Sequence, residues 1–318
     1  MKKKEHVLLS LFAGYGGARL SAEYAGIKVK KEYASEVNES AIAVMQHNHP
    51  DIIQVGDVRN LKAEDFLDAT LISGGSPCQN FSFCGKKKGM VTKDDNIEIL
   101  DLDHYLRLKS EDFEFEGYSY LVWENLRLVQ EIKALQRKKG LPEAKFLLEN
   151  VVMEKKWENV ITNAFGVTPF LFDAAVVWGQ SRERLFWSDI DGIVIPQDKG
   201  ITIGDLIEDA VNGTGFRGRK DETGKYVYPQ TIRYDNKSNC LITVLGCVSK
   251  KTGKPYGTGF YTTKKGEVKK LTINQAEILQ GLKDGYTDVE GVSQTARIKM
   301  IGNGWCIPVT GHIMKFLK

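Results

Sequence analysis

Buried strands alternate with helices over about the first 190 residues of this 318-residue chain. Val7–Phe12 predicts an apolar strand, which leads through a glycine turn into a helix ending near Ala25. Ile27–Ser35 predicts a second strand, followed by a helix over Glu39–His47. Further strands are predicted at Ile52–Val55, Leu71–Ile72, Phe146–Leu148, Val176–Trp178 and Leu185–Trp187, with a long helix at Tyr120–Lys138. This alternation is typical of a doubly wound, Rossmann-like α/β sheet.

The residue composition of the chain changes after about Ile190. Gly, Lys, Thr and Tyr dominate as far as Lys270 without a long helical period, which predicts a small, irregular, β-rich domain. Thr272 and Gln275 then form the capping-box pattern of a helix start. We therefore expect a large domain over residues 1–190 plus 291–318 and a small domain over 191–290. The acid-rich stretch at 94–116 is open to two interpretations, an ordered insertion or a mobile loop.

Positive charge is concentrated in one part of the chain. Between Gly213 and Lys270 there are 13 Lys and Arg against 4 Asp and Glu, whereas the whole chain has a net charge of only +3. A basic segment on an acidic body indicates a polyanionic partner, although a solvated lysine-rich surface gives the same pattern.

The cysteines and the apolar runs exclude some classes of protein. The five cysteines are odd in number and form no CxxC pair, which suits a reducing cytoplasm and argues against a zinc site. Apolar runs all fall short of the roughly 20 residues that cross a bilayer, so no membrane association is expected.

The first predicted strand and its turn form a nucleotide-type site. Glycines in Phe12–Gly17 let the backbone approach a ligand closely, and the start of the following helix favours an anionic group. Glu36 follows Gly17 by 19 residues, where an acid would hold ribose hydroxyls, and Asp57 ends the third strand, where it could meet an adenine edge. The turn lacks the GxGxxG spacing of dinucleotide-binding enzymes, which favours S-adenosylmethionine over NAD.

One thiol is presented at the tip of a tight turn. Gly74, Gly75 and Pro77 follow the strand at Leu71 and constrain the loop that carries Cys78. A cysteine at the carboxyl end of a strand in an α/β protein is well placed to act as a nucleophile. Taken alone, it is more readily a loop cysteine without a role, so the catalytic interpretation depends on the neighbouring motifs.

Three further motifs follow in chain order. Glu149 begins a Glu-Asn-Val run that closes a strand, Arg182 and Arg184 belong to a Gln-x-Arg-x-Arg segment, and Asn303 follows a glycine near the carboxyl terminus. With the Phe-x-Gly-x-Gly-Gly turn and the Pro-Cys-Gln loop, this order resembles the cytosine-C5 DNA methyltransferase family of bacteria and phages. The Glu-Asn-Val-Val run also resembles the eukaryotic de novo DNA methyltransferases. The resemblance spans nearly the whole chain outside 94–116 and 191–270.

The resemblance implies a fold, an activity and a cofactor. The large domain would be an S-adenosylmethionine-dependent methyltransferase sheet, which methylates C5 of cytosine in double-stranded DNA, releases S-adenosylhomocysteine and uses no metal. Cys78 would attack C6 as a thiolate in an electropositive site, protonated Glu149 would hydrogen-bond N3, and Arg184 would stabilise O2. Arg182 would orient Glu149 or Cys78. The implied cofactor contacts are Phe12, Gly14, Gly16, Glu36, Asp57, Pro77 and Asn303.

The resemblance also implies where DNA would bind. A duplex hides the cytosine ring from a thiol, so the target base would be flipped out. The segment 81–88, with Lys86 and Lys87, resembles the family's mobile loop that closes over DNA. Residues 191–290 would then be the target-recognition domain, with Arg217, Arg219 and Arg233 as candidate base readers.

Other functions remain open on the sequence alone. An RNA (tRNA) cytosine-C5 methyltransferase on the same scaffold is the nearest alternative, and the separate basic segment favours DNA over it. A Rossmann oxidoreductase with an incidental cysteine and a catalytically idle DNA-binding relative are more distant alternatives. We expect a monomer in the cytoplasm, associated with the nucleoid and encoded by a bacterium or a phage.

Overall fold

The computed structural model describes residues 5–81, 89–216, 218–220, 222–223, 226–248 and 254–317, and only the backbone of 219, 220 and 226. Seven of the described strands form one sheet: β1 Glu5–Leu11, β2 Lys28–Ser35, β3 Ile53–Gln54, β4 Leu71–Gly75, β5 Lys145–Val151, β6 Phe170–Asp173 and β7 Glu183–Ser188. Their order is β3-β2-β1-β4-β5-β7-β6, and β7 runs antiparallel to both of its neighbours. The described helices are α1 Gly17–Ala25, α2 Glu39–Asn48, α3 Leu102–Ser110, α4 Val122–Lys138, α5 Lys155–Phe165, α6 Ile203–Leu206, α7 Ile273–Leu279, α8 Gln294–Asn303 and α9 Ile307–Met314.

Helices cover both faces of this sheet, which confirms the predicted doubly wound α/β class. Side chains alternate between the faces along each strand, so neighbours such as Leu8 and Leu9 enter different cores. Leu8 packs with Ala22 of α1 and Ile313 of α9, whereas Leu9 belongs to the core formed with α4 and α5. Helices on both faces explain why β1 and β5 are buried at consecutive positions rather than at alternating ones.

The strand order reverses between β1 and β4. The chain proceeds outward from β1 to β3 on one side and from β4 to β5 on the other. The loops that follow β1 and β4 therefore diverge, and they leave a crevice at the carboxyl ends of the strands where ligands bind in open α/β sheets.

A second, antiparallel sheet contains most of the described strands of the basic segment, which confirms its predicted β-rich character. Its strands are β8 Ala210–Phe216, β11 Gln230–Ile232, β12 Cys247–Val248, β13 Pro255–Thr263 and β14 Val268–Lys270, and β9 Arg219–Lys220 pairs separately with β10 Tyr226–Val227. Leu241 and Tyr261 pack with Leu279 of α7 and Ile301 of α8. Leu282 instead packs with residues of α2. The division of the chain at 190 and 291 stays a prediction.

The predicted strand at Val176–Trp178 is wrong. Ala174–Val176 forms a 3-10 turn, because the Asp173 side chain caps it by accepting a hydrogen bond from the Ala175 amide at 3.0 Å. The partner of β7 is β6, which ends just before this turn. Val177 is nevertheless fully buried, so the apolar run indicated burial correctly and conformation incorrectly.

Two other segments are defined by local hydrogen bonds. The acidic stretch is an ordered insertion that contains α3. An antiparallel bridge pairs Thr92, just before the stretch, with Phe115 near its end. The capping box at α7 is confirmed, since Thr272 Oγ1 accepts from the Gln275 amide at 3.1 Å and Gln275 Oε1 accepts from the Thr272 amide at 2.9 Å.

One lysine of the basic segment is buried rather than presented to solvent. The Lys237 side chain donates to the carbonyl oxygens of Ile201 at 2.6 Å and Ala175 at 2.7 Å, and it pairs with Asp198 at 3.3 Å. It therefore joins the second sheet to the loops beside β6, and its charge is not available to an external polyanion.

We expect Lys237→Met to lower the free energy of unfolding by about 2–4 kcal/mol, because it keeps the apolar stem and leaves the part-buried carbonyl oxygens of Ala175 and Ile201 without this donor. Urea unfolding measures this loss. Lys264→Met, at an exposed position of the same segment, is the matched control. Equal stability of the two variants would contradict the assignment.

Candidate active site

The crevice at the strand reversal is a cavity of about 640 Å³, within the range of small-molecule sites. Residues from the ends of several strands and from the carboxyl-terminal region line it together. The predicted site residues among them are Phe12, Gly14, Glu36, Asp57, Pro77, Cys78, Glu149, Arg182, Arg184 and Asn303. Sequence motifs up to 291 residues apart therefore meet at one site.

Glu36 is fixed against the glycine turn. Its carboxylate accepts hydrogen bonds from the amides of Gly14, Val37 and Asn38, each at 2.8 Å. The turn itself requires left-handed backbone, with φ of +55° at Gly14. The predicted contact Gly16 does not line the cavity and instead provides the left-handed cap of α1.

Asp57 is also held in place, by a residue that the sequence motifs did not single out. Nε of Arg59 lies 3.0 Å from both carboxylate oxygens of Asp57. This hydrogen bonding lowers the pKa of Asp57, and Arg59 lines the cavity as well. The Asp-x-Arg spacing was the signal in the sequence that could have revealed the pair.

The loop that carries Cys78 is anchored on both sides. The Asn150 side chain donates to Ser76 Oγ at 3.1 Å, before the cysteine. After the cysteine, the Asn80 amide donates to Ser119 Oγ at 3.1 Å. These bonds come from β5 and from the 3-10 turn at Ser119–Leu121 that precedes α4, so the position of Cys78 depends on the packing around the sheet.

Glu149 lies at the end of β5 and forms an ion pair with Arg184 of β7, with Oε1 2.9 Å from Nε. The two strands are adjacent and antiparallel, which brings both side chains to the same end of the sheet. Burial raises the pKa of Glu149, and the charges of Arg184 and Arg182 oppose this effect only in part.

The resting Cys78 thiol is less acidic than expected for a nucleophile. Burial raises the pKa of Cys78, the nearby Glu149 carboxylate raises it further, and Arg184 and Arg182 only partly compensate. The electropositive surroundings expected from the sequence are present, but burial and Glu149 outweigh them.

Arg182 is almost entirely buried, and its guanidinium binds the backbone. It donates to the carbonyl oxygens of Leu241 at 2.9 Å, Gly302 at 3.0 Å and Gly304 at 2.9 Å. The influence of Arg182 on Glu149 and Cys78 is through its charge.

A second thiol near the arginines was not assigned any role from the sequence. Cys240 Sγ lies 3.5 Å from Nη1 of Arg182. Burial alone would raise the pKa of Cys240, but Arg182 and Arg184 hold it below its usual value. Its position depends on a contact 58 residues away in the chain, which local sequence does not reveal.

The expected DNA contacts are described only in part. Lys86, Lys87 and Arg217 lie outside the described residues, and of Arg219 only the backbone is described, in β9. Arg233 forms an ion pair with Asp235, with Nε 3.0 Å from Oδ1, so this pair would have to open before Arg233 could read a base.

Two negative observations apply to the described part of the chain. None of its helices is long and apolar enough to span a membrane. Within it, no three His, Cys, Asp or Glu side chains are grouped as a metal site would require.

The fold and the cavity define an α/β protein with a nucleotide-type turn, a cysteine loop and a buried carboxyl–guanidinium pair around one ligand site. Residues 7–101 match the family model described as C-5 cytosine-specific DNA methylase. The type II methyltransferase M.NlaX of Neisseria lactamica is 25% identical over 98% of this chain and 96% of its own. M.Bsp6I of Bacillus sp. (strain RFL6) is 25% identical over 96% of each chain. These matches confirm the resemblance to the cytosine-C5 DNA methyltransferases that the motifs predicted, and the chain is a methyltransferase.

Solved structures agree on the fold. A DNMT2 mutant of Spodoptera frugiperda superposes with a TM-score of 0.64 at 16% identity, covering 98% of this chain and 99% of that one. A putative DNA modification methyltransferase encoded within an E. coli prophage gives 0.58 at 19% identity, covering 98% of each chain.

The charges around Cys78 predict how its reactivity changes with pH. Only the thiolate is alkylated, so the alkylation rate of Cys78 should rise with pH with a midpoint above that of an ordinary cysteine, about 8.5. Glu149→Gln removes a negative charge and should lower this midpoint, whereas Arg184→Gln should raise it. Mass spectrometry of the Cys78 peptide after pulses of iodoacetamide measures the rate.

The exposed carboxylate of Glu39, which does not line the cavity, provides the control. Glu39→Gln should leave the midpoint unchanged. A midpoint that rises in Glu149→Gln would contradict the electrostatic account of Cys78.

Proposed function

We propose that this protein transfers a methyl group from S-adenosylmethionine to C5 of cytosine in double-stranded DNA through a covalent bond between Cys78 and C6 of a flipped-out base. The observation that carries the proposal is the convergence of Cys78, Glu149 and Arg184 at the edge of the cavity that also contains the glycine turn and Glu36. A thiol, a carboxyl and a guanidinium are the groups that addition to a cytosine ring requires.

The donors and acceptors in the cavity fit S-adenosylmethionine. Glu36 has its carboxylate fixed by three amides and retains acceptor capacity for ribose hydroxyls. Asp57 offers an acceptor for an adenine amino group, and the first turn of α1 favours the carboxylate of the amino-acid part. When bound, this cofactor supplies a methyl group on a sulfonium, which is the electrophile of the reaction.

Cys78, Glu149 and Arg184 each act on a different atom of the cytosine ring. Cys78 gives up its proton and adds to C6, which makes the ring an enamine with electron density toward N3 and O2. Glu149, whose pKa is raised by burial, holds a proton at N3, and Arg184 stabilises the charge at O2. Once C5 has taken the methyl group, loss of the C5 proton, for which we infer water as the base, re-forms the C5–C6 double bond. The electron pair of the C6–S bond then returns to the sulfur of Cys78.

We propose that residues 191–290 recognise the DNA and that 1–190 with 291–318 hold the cofactor and the catalytic groups. The antiparallel sheet within the basic segment supports this division. The bacterial type II relatives support a role in restriction–modification and a location on bacterial DNA in the cytoplasm. S-adenosylhomocysteine is the expected product, no metal takes part, and we propose that the protein acts as a monomer.

We expect Cys78→Ser to abolish covalent capture of DNA. Duplex DNA with 5-fluorocytosine at the target, incubated with S-adenosylmethionine, traps the adduct because fluorine cannot leave as a proton does. The parent should give a complex stable to detergent, and Cys78→Ser should give none. Cys247→Ser, which removes a thiol from the second sheet, should behave like the parent.

The same experiment separates the RNA alternative from the proposed DNA activity. Capture of a 5-fluorocytosine RNA in place of the DNA duplex would contradict DNA as the substrate. Capture through a residue other than Cys78 would contradict the assigned nucleophile.

We expect Glu36→Ala to weaken S-adenosylmethionine binding by about 1.5–3 kcal/mol, the range for hydrogen bonds to a charged group. Calorimetry without DNA measures it. Because Glu36 also holds the turn, the thermal midpoint of the variant is compared with that of Glu39→Ala. Unchanged affinity would mean that the ribose site lies elsewhere.

A further inference from the structure

Trp305 brings an indole N–H to the buried carboxyl group of the active site. It follows the Gly304 cap of α8, two residues beyond Asn303, and it lines the same cavity. Its indole Nε1 and Oε2 of Glu149 both lie beside Gly75, and the indole, as a donor to the carboxyl group, lowers the pKa of Glu149. Its backbone is fixed because Tyr15 Oη donates to the Trp305 carbonyl oxygen at 2.5 Å.

Gly75 leaves the space in which the indole meets the carboxyl. A Cβ atom at Gly75 would lie 2.8 Å from Nε1 of Trp305 and 3.0 Å from Oε2 of Glu149, so both atoms converge on one point beside bare backbone. The other oxygen, Oε1, is 2.9 Å from Nε of Arg184. The two oxygens of Glu149 therefore face different nitrogen donors, Oε1 facing Arg184 and Oε2 facing Trp305.

These donors differ in strength. An indole N–H and a guanidinium both donate and neither accepts, so each favours the ionised carboxylate. The bond from Arg184 is charge-assisted and the bond from Trp305 is not, so the indole is the weaker of the two. The other titratable or charged groups that act on Glu149 are Arg182, Cys78 and Tyr15.

We propose that Trp305 is a positioning residue for Glu149, whose indole N–H holds Oε2 in the resting enzyme and yields that oxygen to N3 of the entering cytosine. The inference rests on the proposed role of Glu149 as the group that hydrogen-bonds N3. One proton is taken up from water onto Oε2 as the indole bond is released, while Arg184 keeps Oε1 in place.

The test is Trp305→Phe, which keeps a ring and removes the N–H. The alkaline limb of kcat/KM, where the protonated form of Glu149 is lost, should move to higher pH by about 0.5–1 unit, because a donor to the carboxylate has been removed. Trp178→Phe is the matched control, since that indole donates to the Ile278 carbonyl at 3.0 Å and should leave the limb unchanged.

A second measurement needs neither turnover nor a variant of Trp305. Tryptophan emission of the parent, titrated without DNA or cofactor, should contain a pH-dependent component that disappears in Glu149→Gln and persists in Glu39→Gln. Gly75→Ala should also diminish it, because the added methyl group would separate Nε1 from Oε2.

The outcomes distinguish the proposed role of Glu149 from that of Trp305. Near-parental turnover of Glu149→Gln would overturn the proposed role of Glu149. If Glu149→Gln instead loses turnover by about 10²-fold or more, while Trp305→Phe retains the parental alkaline limb and the emission component is absent, only the inference about Trp305 is overturned.

Discussion

The buried guanidinium of Arg182 connects the parts of the molecule that form the active site. Moving such a cation out of water costs several kcal/mol, and its hydrogen bonds to the Leu241, Gly302 and Gly304 carbonyl oxygens offset that cost. These acceptors come from the second-sheet region and from the end of α8. Because one side chain binds both, the position of Trp305 depends on the same contacts that attach the second sheet.

The neighbouring arginine has the opposite role, and the spacing of the two explains why. Arg182 and Arg184 are two residues apart where β7 begins, so their side chains leave the same face of an extended chain, while Glu183 between them is exposed. Arg182 is directed into backbone carbonyl groups, and Arg184 reaches Glu149 across the β5–β7 pair. One short motif thus supplies both arginines of the site: Arg182, which binds backbone carbonyl groups, and Arg184, which pairs with Glu149.

The sequence predicted the features that local pattern encodes. Apolar runs predicted β1 and β5, the glycine turn predicted a ligand site beside β1, and the ordered motifs singled out Cys78, Glu149 and Arg184, which line one cavity. The apolar run at Val176–Trp178 led to a wrong strand prediction, because burial does not determine conformation. The Asp173 side chain caps a 3-10 turn there instead. The contact of Trp305 with Glu149 and the burial of Lys237 depend on residues distant in the chain, so no local pattern reports them.

The pKa values of Cys78 and Glu149 are both raised, and the two groups influence each other. Burial raises the pKa of each group, and the carboxylate of Glu149 raises the pKa of Cys78 further. Two anions close together in a buried site are costly, so the protonation of each group depends on the charge of the other. In the proposed mechanism, protonation of Glu149 removes the charge that opposes the thiolate, while Arg182 and Arg184 continue to favour it. The entry of a base that draws a proton onto Glu149 would thereby also make Cys78 more acidic, which would confine the reactive thiolate to the complex with substrate.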